Sequence, residues 1–170
     1  MNRILFKKLH PDAIIPTRAN NSDAGMDLYA LADVEIPATK QTEFIRSRKE
    51  YDRWENVIHH DEQRFITIGQ VKIPTGLAVE IPHGHYGKVS SRSGLAFKNG
   101  LFSFDGTIDA GYRGEIGILL YNTTDKPYLV EKGDKVAQLL IIPCSILKPV
   151  EVEELSVADR GANGFGSSGR

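Results

Sequence analysis

With 170 residues, 41% of them apolar, the chain has material for one hydrophobic core and too little for two full ones. A formal net charge of -1 on a chain that is 25% charged excludes the broad positive field of a stable nucleic-acid binder, and no apolar run is long enough to span a membrane. The opening MNRILFKKLHP lacks a signal-peptide core and Cys144 is the only cysteine, so no intrachain disulfide is available and a reducing, cytoplasmic setting is expected.

In chain order, residues 2–9 read as a strand with Ile4 and Phe6 on one face, ended by His10 and Pro11. A polar loop through Pro16 and Arg18 leads to MDLYA, where Asp27 stands among apolar neighbours beside Gly25. A solvent-facing strand carboxylate and a site carboxylate both fit it. VEI, closed by Pro37, is a further short strand. From about 38 to 66 the composition changes: residues 40–65 hold the only tryptophan, six basic and six acidic residues, and no Gly or Pro. Phe44, Tyr51, Trp54 and Ile58 recur at helical spacing, while Ile45, Val57 and Ile66 leave that face. An amphipathic helix, an extended charged hairpin and a mobile excursion all remain open. FITIGQVKI, GLAVEI, GHYGKVS, GEIGILLYN and KVAQLLII then read as strands between Pro- and Gly-containing turns, which predicts an all-β sandwich or barrel. VEEL, up to Leu155, is a further strand candidate, and the last fifteen residues are too poor in apolar side chains to pack as a core element.

Four stretches carry candidate chemistry. In GTIDAGYRGEIG, Asp109 sits on a glycine-flanked turn with Tyr112, where an Asx-turn and a catalytic carboxylate are both open. In SSRSG, hydroxyls and Arg92 suit a phosphate as well as a plain polar turn. The tail RGANGFGSSG fits a disordered segment or an arm that orders over a planar ring and phosphates, with Phe165 its one large apolar side chain. Gln138, in an apolar strand, needs a partner from the protein or from a ligand. The histidines lack metal-ligand spacing, and Cys144 in IIPCSI reads as a buried, inert thiol.

Five segments in order, AGMDLYA (24–30), SRSGLA (91–96), GTIDAGYRGEIG (106–117), KGDKVAQL (132–139) and RGANGFGSSG (160–169), resemble the motifs of the trimeric dUTPase family, the deoxyuridine triphosphate nucleotidohydrolases. The resemblance covers nearly all the chain outside about 38–66, which looks like an insertion. It implies a jelly-roll-like β barrel over residues 1–155, a flexible glycine-rich C-terminal arm over 156–170, and a threefold homotrimer whose active sites take residues from all three subunits.

By the same resemblance, Asp109 would orient and deprotonate the water that attacks the α-phosphorus of dUTP, giving dUMP and pyrophosphate. Tyr112 would pack on the deoxyribose and exclude a ribose hydroxyl. Uracil would be read by backbone groups around 103–108, Gly106, Thr107 and Ile108 among them. Ser93, with Arg92 and Gly94, would hold phosphate oxygens, and Gln138 would touch the α-phosphate. Arg160, Gly166, Ser167 and Ser168 would take the γ-phosphate while Phe165 stacks on uracil. Mg²⁺ would be placed through water by Asp27. The sequence departs from the family where Ser90-Ser91 replaces the familiar Ala-Pro and where Ser168 stands for a common threonine. Two alternatives stay open: a dCTP deaminase-like enzyme with Glu115 in its pocket, and a nucleotide-gated switch with a protein partner on residues 40–65.

Overall fold

The computed structural model describes residues 3–44, 50–51, 57–58, 63–159 and 161–162. The chain is mostly β with one short helix. Strands β1 (Leu5–Lys8), β2 (Met26–Tyr29) and β3 (Val34–Ile36) come first. The charged segment supplies β4 (Lys40–Phe44), β5 (Glu50–Tyr51), β6 (Val57–Ile58) and β7 (Gln63–Thr67). Next come β8 (Gly69–Pro74), β9 (Leu77–Glu80) and β10 (His85–Ser90). After helix α1 (Ser93–Asn99), the remaining strands are β11 (Leu101–Ser103), β12 (Thr107–Ile108), β13 (Gly117–Asn122), β14 (Tyr128–Val130) and β15 (Lys135–Pro143).

A four-stranded sheet ordered β12-β10-β15-β2 and a three-stranded sheet ordered β11-β13-β8 carry most of the core. Alternation decides which side chains face inward: on β13, Ile118, Leu120 and Asn122 are buried and the residues between them are not. On β15 the pairing with β2 shifts between Lys135 and Ala137, so Val136 and Ala137 are both buried in sequence. Leu28, Ile73, Leu77, Ile118 and Leu139, each without solvent exposure, lie in the core that results. The sheets formed by the described strands are open, each ending on two edges.

Between 40 and 67 the described residues are paired strands. β4 runs antiparallel to β7 with Gln41 opposite Ile66, and β5 pairs β6 with Tyr51 opposite Val57. The extended hairpin is therefore the form adopted, and Phe44, Tyr51 and Ile58, whose spacing is helical, lie in its paired strands; Trp54 lies outside the described residues. The hairpin is rooted in a buried polar hub. Asn122, fully buried, donates to Pro37 O (3.1 Å) and Lys126 O (2.7 Å) and accepts from the Thr124 backbone N–H (2.9 Å) and hydroxyl (2.8 Å). Thr39, next to β4, donates its hydroxyl to Asn122 O and accepts from Gly69 N–H at 3.1 Å. Every polar atom at the root is thus partnered, which fixes where the hairpin leaves the body.

Helix α1 is absent from the sequence expectation, which read its start as a polar turn. Leu95, Ala96 and Lys98 favour a helix, and Gly100 ends it in the left-handed conformation, its N–H on Ala96 O at 3.1 Å. VEEL forms no strand, and Cys144 is half-buried rather than buried. Among the described residues no helix is long and apolar enough to cross a membrane.

Candidate active site

The sequence-selected residues fall into two groups at opposite edges of the four-stranded sheet. At the β2 edge, register aligns Ser90, Gln138 and Asp27 on three adjacent strands. Asp27 is only 3% exposed, so the solvent-facing reading is replaced by a buried one. Its position on β2 points the carboxylate at cations from two other elements. Arg92 Nε lies 3.2 Å from Oδ1 and Lys135 Nζ 2.8 Å from Oδ2. Gln138 Nε2 donates to Oδ1 at 3.4 Å, so the protein supplies the partner this amide needs. Arg92 also donates to Lys135 O at 3.1 Å, closing the group into a network. Burial raises the pKa of Asp27, but hydrogen bonds from Lys135 and Gln138 and the charges of Arg92 and Lys135 outweigh it and hold the carboxyl below its ordinary value. The Lys135 ammonium is pushed up in turn, chiefly by its hydrogen bond to Asp27. Arg92 and Lys135 line a cleft of about 310 Å³ with Leu95, Tyr128 and Asp134. Ser93 and Gly94 follow Arg92 at the exposed start of α1.

At the β12 edge, Gly106, Thr107, Ile108, Asp109 and Tyr112 line a second pocket of about 210 Å³, with Val89, Glu115, Ile116 and Gly117 completing its wall. Ile108 is anchored in the core, which delivers the next residue, Asp109, to the surface. The turn is tight: Tyr112 N–H donates to Asp109 O at 3.0 Å. Among the described residues no side chain binds the Asp109 carboxylate. Tyr112 is fixed by its own hydroxyl, which donates to Glu115 O at 2.9 Å. Its ring lies directly over Gly114, where a Cβ would stand 2.6 Å from Tyr112 Cζ, so only glycine allows that approach. Glu115 is held too: its carboxylate accepts Gly76 N–H at 2.8 Å, and Ile116 N–H donates to Leu77 O at 2.8 Å. Tyr112 therefore rests on a frame that β9 and its preceding turn keep in place.

The segment that leads into this pocket is tied to β10, to the residue after it and to β13. Ser91 Oγ accepts Ser103 N–H at 2.9 Å and stands 3.2 Å from Ser103 Oγ. Val89 N–H donates to Gly106 O at 3.0 Å, and Phe104 N–H to Leu119 O at 2.8 Å. Sequence reasoning passed over Lys135 and Gly114, and read Ser91 only as one of the SSRSG hydroxyls. Lys135 had a signal in its motif, two residues before Ala137 and three before Gln138, whereas the partners of Ser91 and Gly114 are visible only in three dimensions. The tail residues Arg160, Phe165, Gly166, Ser167 and Ser168 lie outside the described residues.

A family model described as dUTPase matches residues 60–169. The chain is 34% identical over 169 residues to the deoxyuridine 5'-triphosphate nucleotidohydrolase of Paramecium bursaria Chlorella virus 1, with 99% of each chain covered. It is 38% identical to that of Clostridioides difficile, again with 99% of each covered. Among solved structures, the Staphylococcus bacteriophage 80alpha dUTPase with dUPNHPP superposes with a TM-score of 0.76 at 29% identity, covering 100% of both chains. A variant dUTPase from phage phi11 of S. aureus, described for the coordination of a structural Mg(II) ion, gives a TM-score of 0.68 at 26% identity over 90% of this chain and 98% of that one. End-to-end similarity to curated relatives and a family match over most of the chain agree with the two motif-lined pockets: the chain belongs to the dUTPase family.

Proposed function

We propose that this chain hydrolyses dUTP to dUMP and pyrophosphate, with Asp109 as the group that positions the attacking water. The observation that carries this reading is an exposed carboxylate on a pocket rim, in a chain similar to dUTPases from end to end. Water is a weak nucleophile, and a carboxylate that accepts its proton while aligning its lone pair raises its reactivity. The new bond forms from water oxygen to the α-phosphorus; the bond to the bridging oxygen breaks, and pyrophosphate leaves with the electron pair. Tyr112, locked over Gly114, would present a fixed wall to the deoxyribose. Gly106, Thr107 and Ile108 would offer backbone groups to the uracil edge. Arg92, Ser93, Gly94 and Gln138 would bind phosphate oxygens.

Mg²⁺ fits this set as an outer-sphere guest. Three donors already occupy the Asp27 carboxylate, which offers about four acceptor positions. One position remains for a water, and Mg²⁺ usually keeps several waters among substrate phosphates. When bound, the ion would draw charge from the leaving pyrophosphate. Among the described residues no cluster of three or more His, Cys, Asp or Glu could ligate it directly.

The active form proposed is a homotrimer of jelly-roll-like barrels with shared sites, the arm at 156–170 closing over a neighbour and bringing Arg160, Phe165, Gly166, Ser167 and Ser168. Two features support it. The Asp109 and Arg92 pockets have no lining residue in common, so the residues assigned to the substrate are divided between two separate pockets on one copy. Large apolar side chains stand exposed on one copy, Phe97 at 90%, Leu147 at 82% and Leu155 at 88%, as an assembling surface requires.

A second role is proposed for residues 40–65 as a contact surface for a protein partner. The hairpin is rooted rigidly at Thr39 and Asn122, and the related 80alpha dUTPase is described as controlling transfer of virulence genes by a G protein-like mechanism. A deaminase reading gains nothing from Glu115, whose carboxylate is held by Gly76. The hydrolase reading is tested by assaying pyrophosphate release with Mg²⁺ from dUTP, UTP, dCTP and dTTP. Selective turnover of dUTP is expected; equal turnover of UTP would remove the role given to Tyr112.

A further inference from the structure

We propose that Ser91 is a positioning residue for base recognition, acting through Ser103; the proposal rests on the reading of 103–108 as the base-contacting segment. Ser91 precedes Arg92, whose guanidinium is tied to Asp27 at 3.2 Å and to Lys135 O at 3.1 Å. Its backbone is therefore fixed from the phosphate side. Its hydroxyl reaches the other way and takes the Ser103 N–H at 2.9 Å, with Ser103 O at 3.3 Å and Ser103 Oγ at 3.2 Å. Ser103 is 8% exposed and is the last residue of β11, where the chain turns toward Gly106 and Asp109.

The geometry makes Ser91 the near-side fixture of that turn. Beyond Ser103, Phe104 N–H is taken by Leu119 O, and Gly106 O is taken by Val89 N–H. Without the Ser91 hydroxyl, a buried Ser103 N–H would lose its side-chain acceptor, and the segment would move to find another. Because Ser103 N–H is spent on Ser91, it does not read the base itself; the reading groups are those that follow it.

A positioning role and a merely structural one give different kinetics. The test uses the full chain with Mg²⁺ and compares Ser91→Ala and Ser91→Thr with the parent. Expected for Ser91→Ala is a KM for dUTP raised about tenfold with kcat within about threefold, the size of effect that follows from losing one hydrogen bond to a buried group. Inhibition by dUMP should weaken by the same factor, while inhibition by inorganic pyrophosphate stays within about twofold. Ser91→Thr, which keeps the hydroxyl, should return KM to within about threefold. If Ser91→Ala does not fold, Ser91→Cys provides the weakened acceptor at similar size and should raise KM less. The proposal is overturned if KM and dUMP inhibition remain at parental values in a variant that has lost its hydroxyl. It is equally overturned if pyrophosphate inhibition falls in step with dUMP, or if Thr fails to rescue. A parent chain that releases no pyrophosphate from dUTP would instead remove the underlying hydrolase reading, so the two failures are distinguishable.

Discussion

Asp27 and Asp109 are both carboxylates on or beside strands of the same sheet, yet their surroundings are opposite. Asp27 is 3% exposed and holds two cations and an amide; Asp109 is exposed at the lip of a pocket. A buried charge must be compensated by the protein, and the groups that compensate it are thereby fixed. An exposed one keeps its lone pairs for water or ligand. The contrast supports the different tasks proposed for the two residues: Asp27 organises Arg92, Lys135 and Gln138, and the role proposed for Asp109 is to act on what enters the pocket.

The largest expected effect tests the Asp109 half. Asp109→Asn should lower dUTP turnover about 1,000-fold, within the range for losing a general base, and leave nucleotide binding and the melting temperature nearly unchanged. Isothermal titration and a thermal melt beside the turnover assay would check all three. Asp27→Ala should act through the network instead, lowering stability by about 2 kcal/mol in chemical denaturation and weakening nucleotide binding through Arg92 and Gln138. The loss of one partner from a buried pair costs more, but Arg92 and Lys135 are 30% and 39% exposed and recover hydration. If Asp109→Asn lost stability along with activity, or Asp27→Ala left stability unchanged, the division of labour would collapse.

Next in size is the wall beside Asp109. Gly114→Ala places a methyl against the Tyr112 ring and should break the hydroxyl contact to Glu115 O. The expected result is about a tenfold fall in the preference for dUTP over UTP, measured as the ratio of kcat/KM, since a displaced ring no longer excludes the ribose hydroxyl. An unchanged ratio would mean that Tyr112 does not set sugar choice.

How much of this was legible beforehand depends on whether the deciding contact is local. The strands around Leu28, Ile118 and Leu139 follow from alternation and β-branched composition, so the mostly β class was readable. Asp109 and Tyr112 were readable because one turn holds both. The state of Asp27 was not: MDLYA shows a carboxylate in an apolar strand, and only register with Gln138 and the approach of Lys135 explain how it is buried. The hairpin at 40–67 stayed one of three open forms for the complementary reason. Its aromatics satisfied a helical period locally, and the pairing of Gln41 with Ile66 spans a separation that no local window covers. Helix α1 was hidden by its polar start, since Arg92 as N-cap makes no side-chain capping bond.

The smallest effect sharpens the Asp27 half through pH. Its folded carboxyl lies below the ordinary 3.8, so its contribution to stability is fully present above that value and is lost as pH falls through the lower, folded one. Lys135 works at the other end: its folded ammonium is raised above the ordinary 10.5, so its contribution is full below 10.5 and is lost as pH rises through the raised value. Denaturation midpoints followed from pH 6 down to about 3 should therefore fall more steeply for the parent than for Asp27→Asn, which has no carboxylate to protonate there. Parallel curves for the parent and Asp27→Asn would show that the network is held by packing alone and that the charge on Asp27 organises nothing.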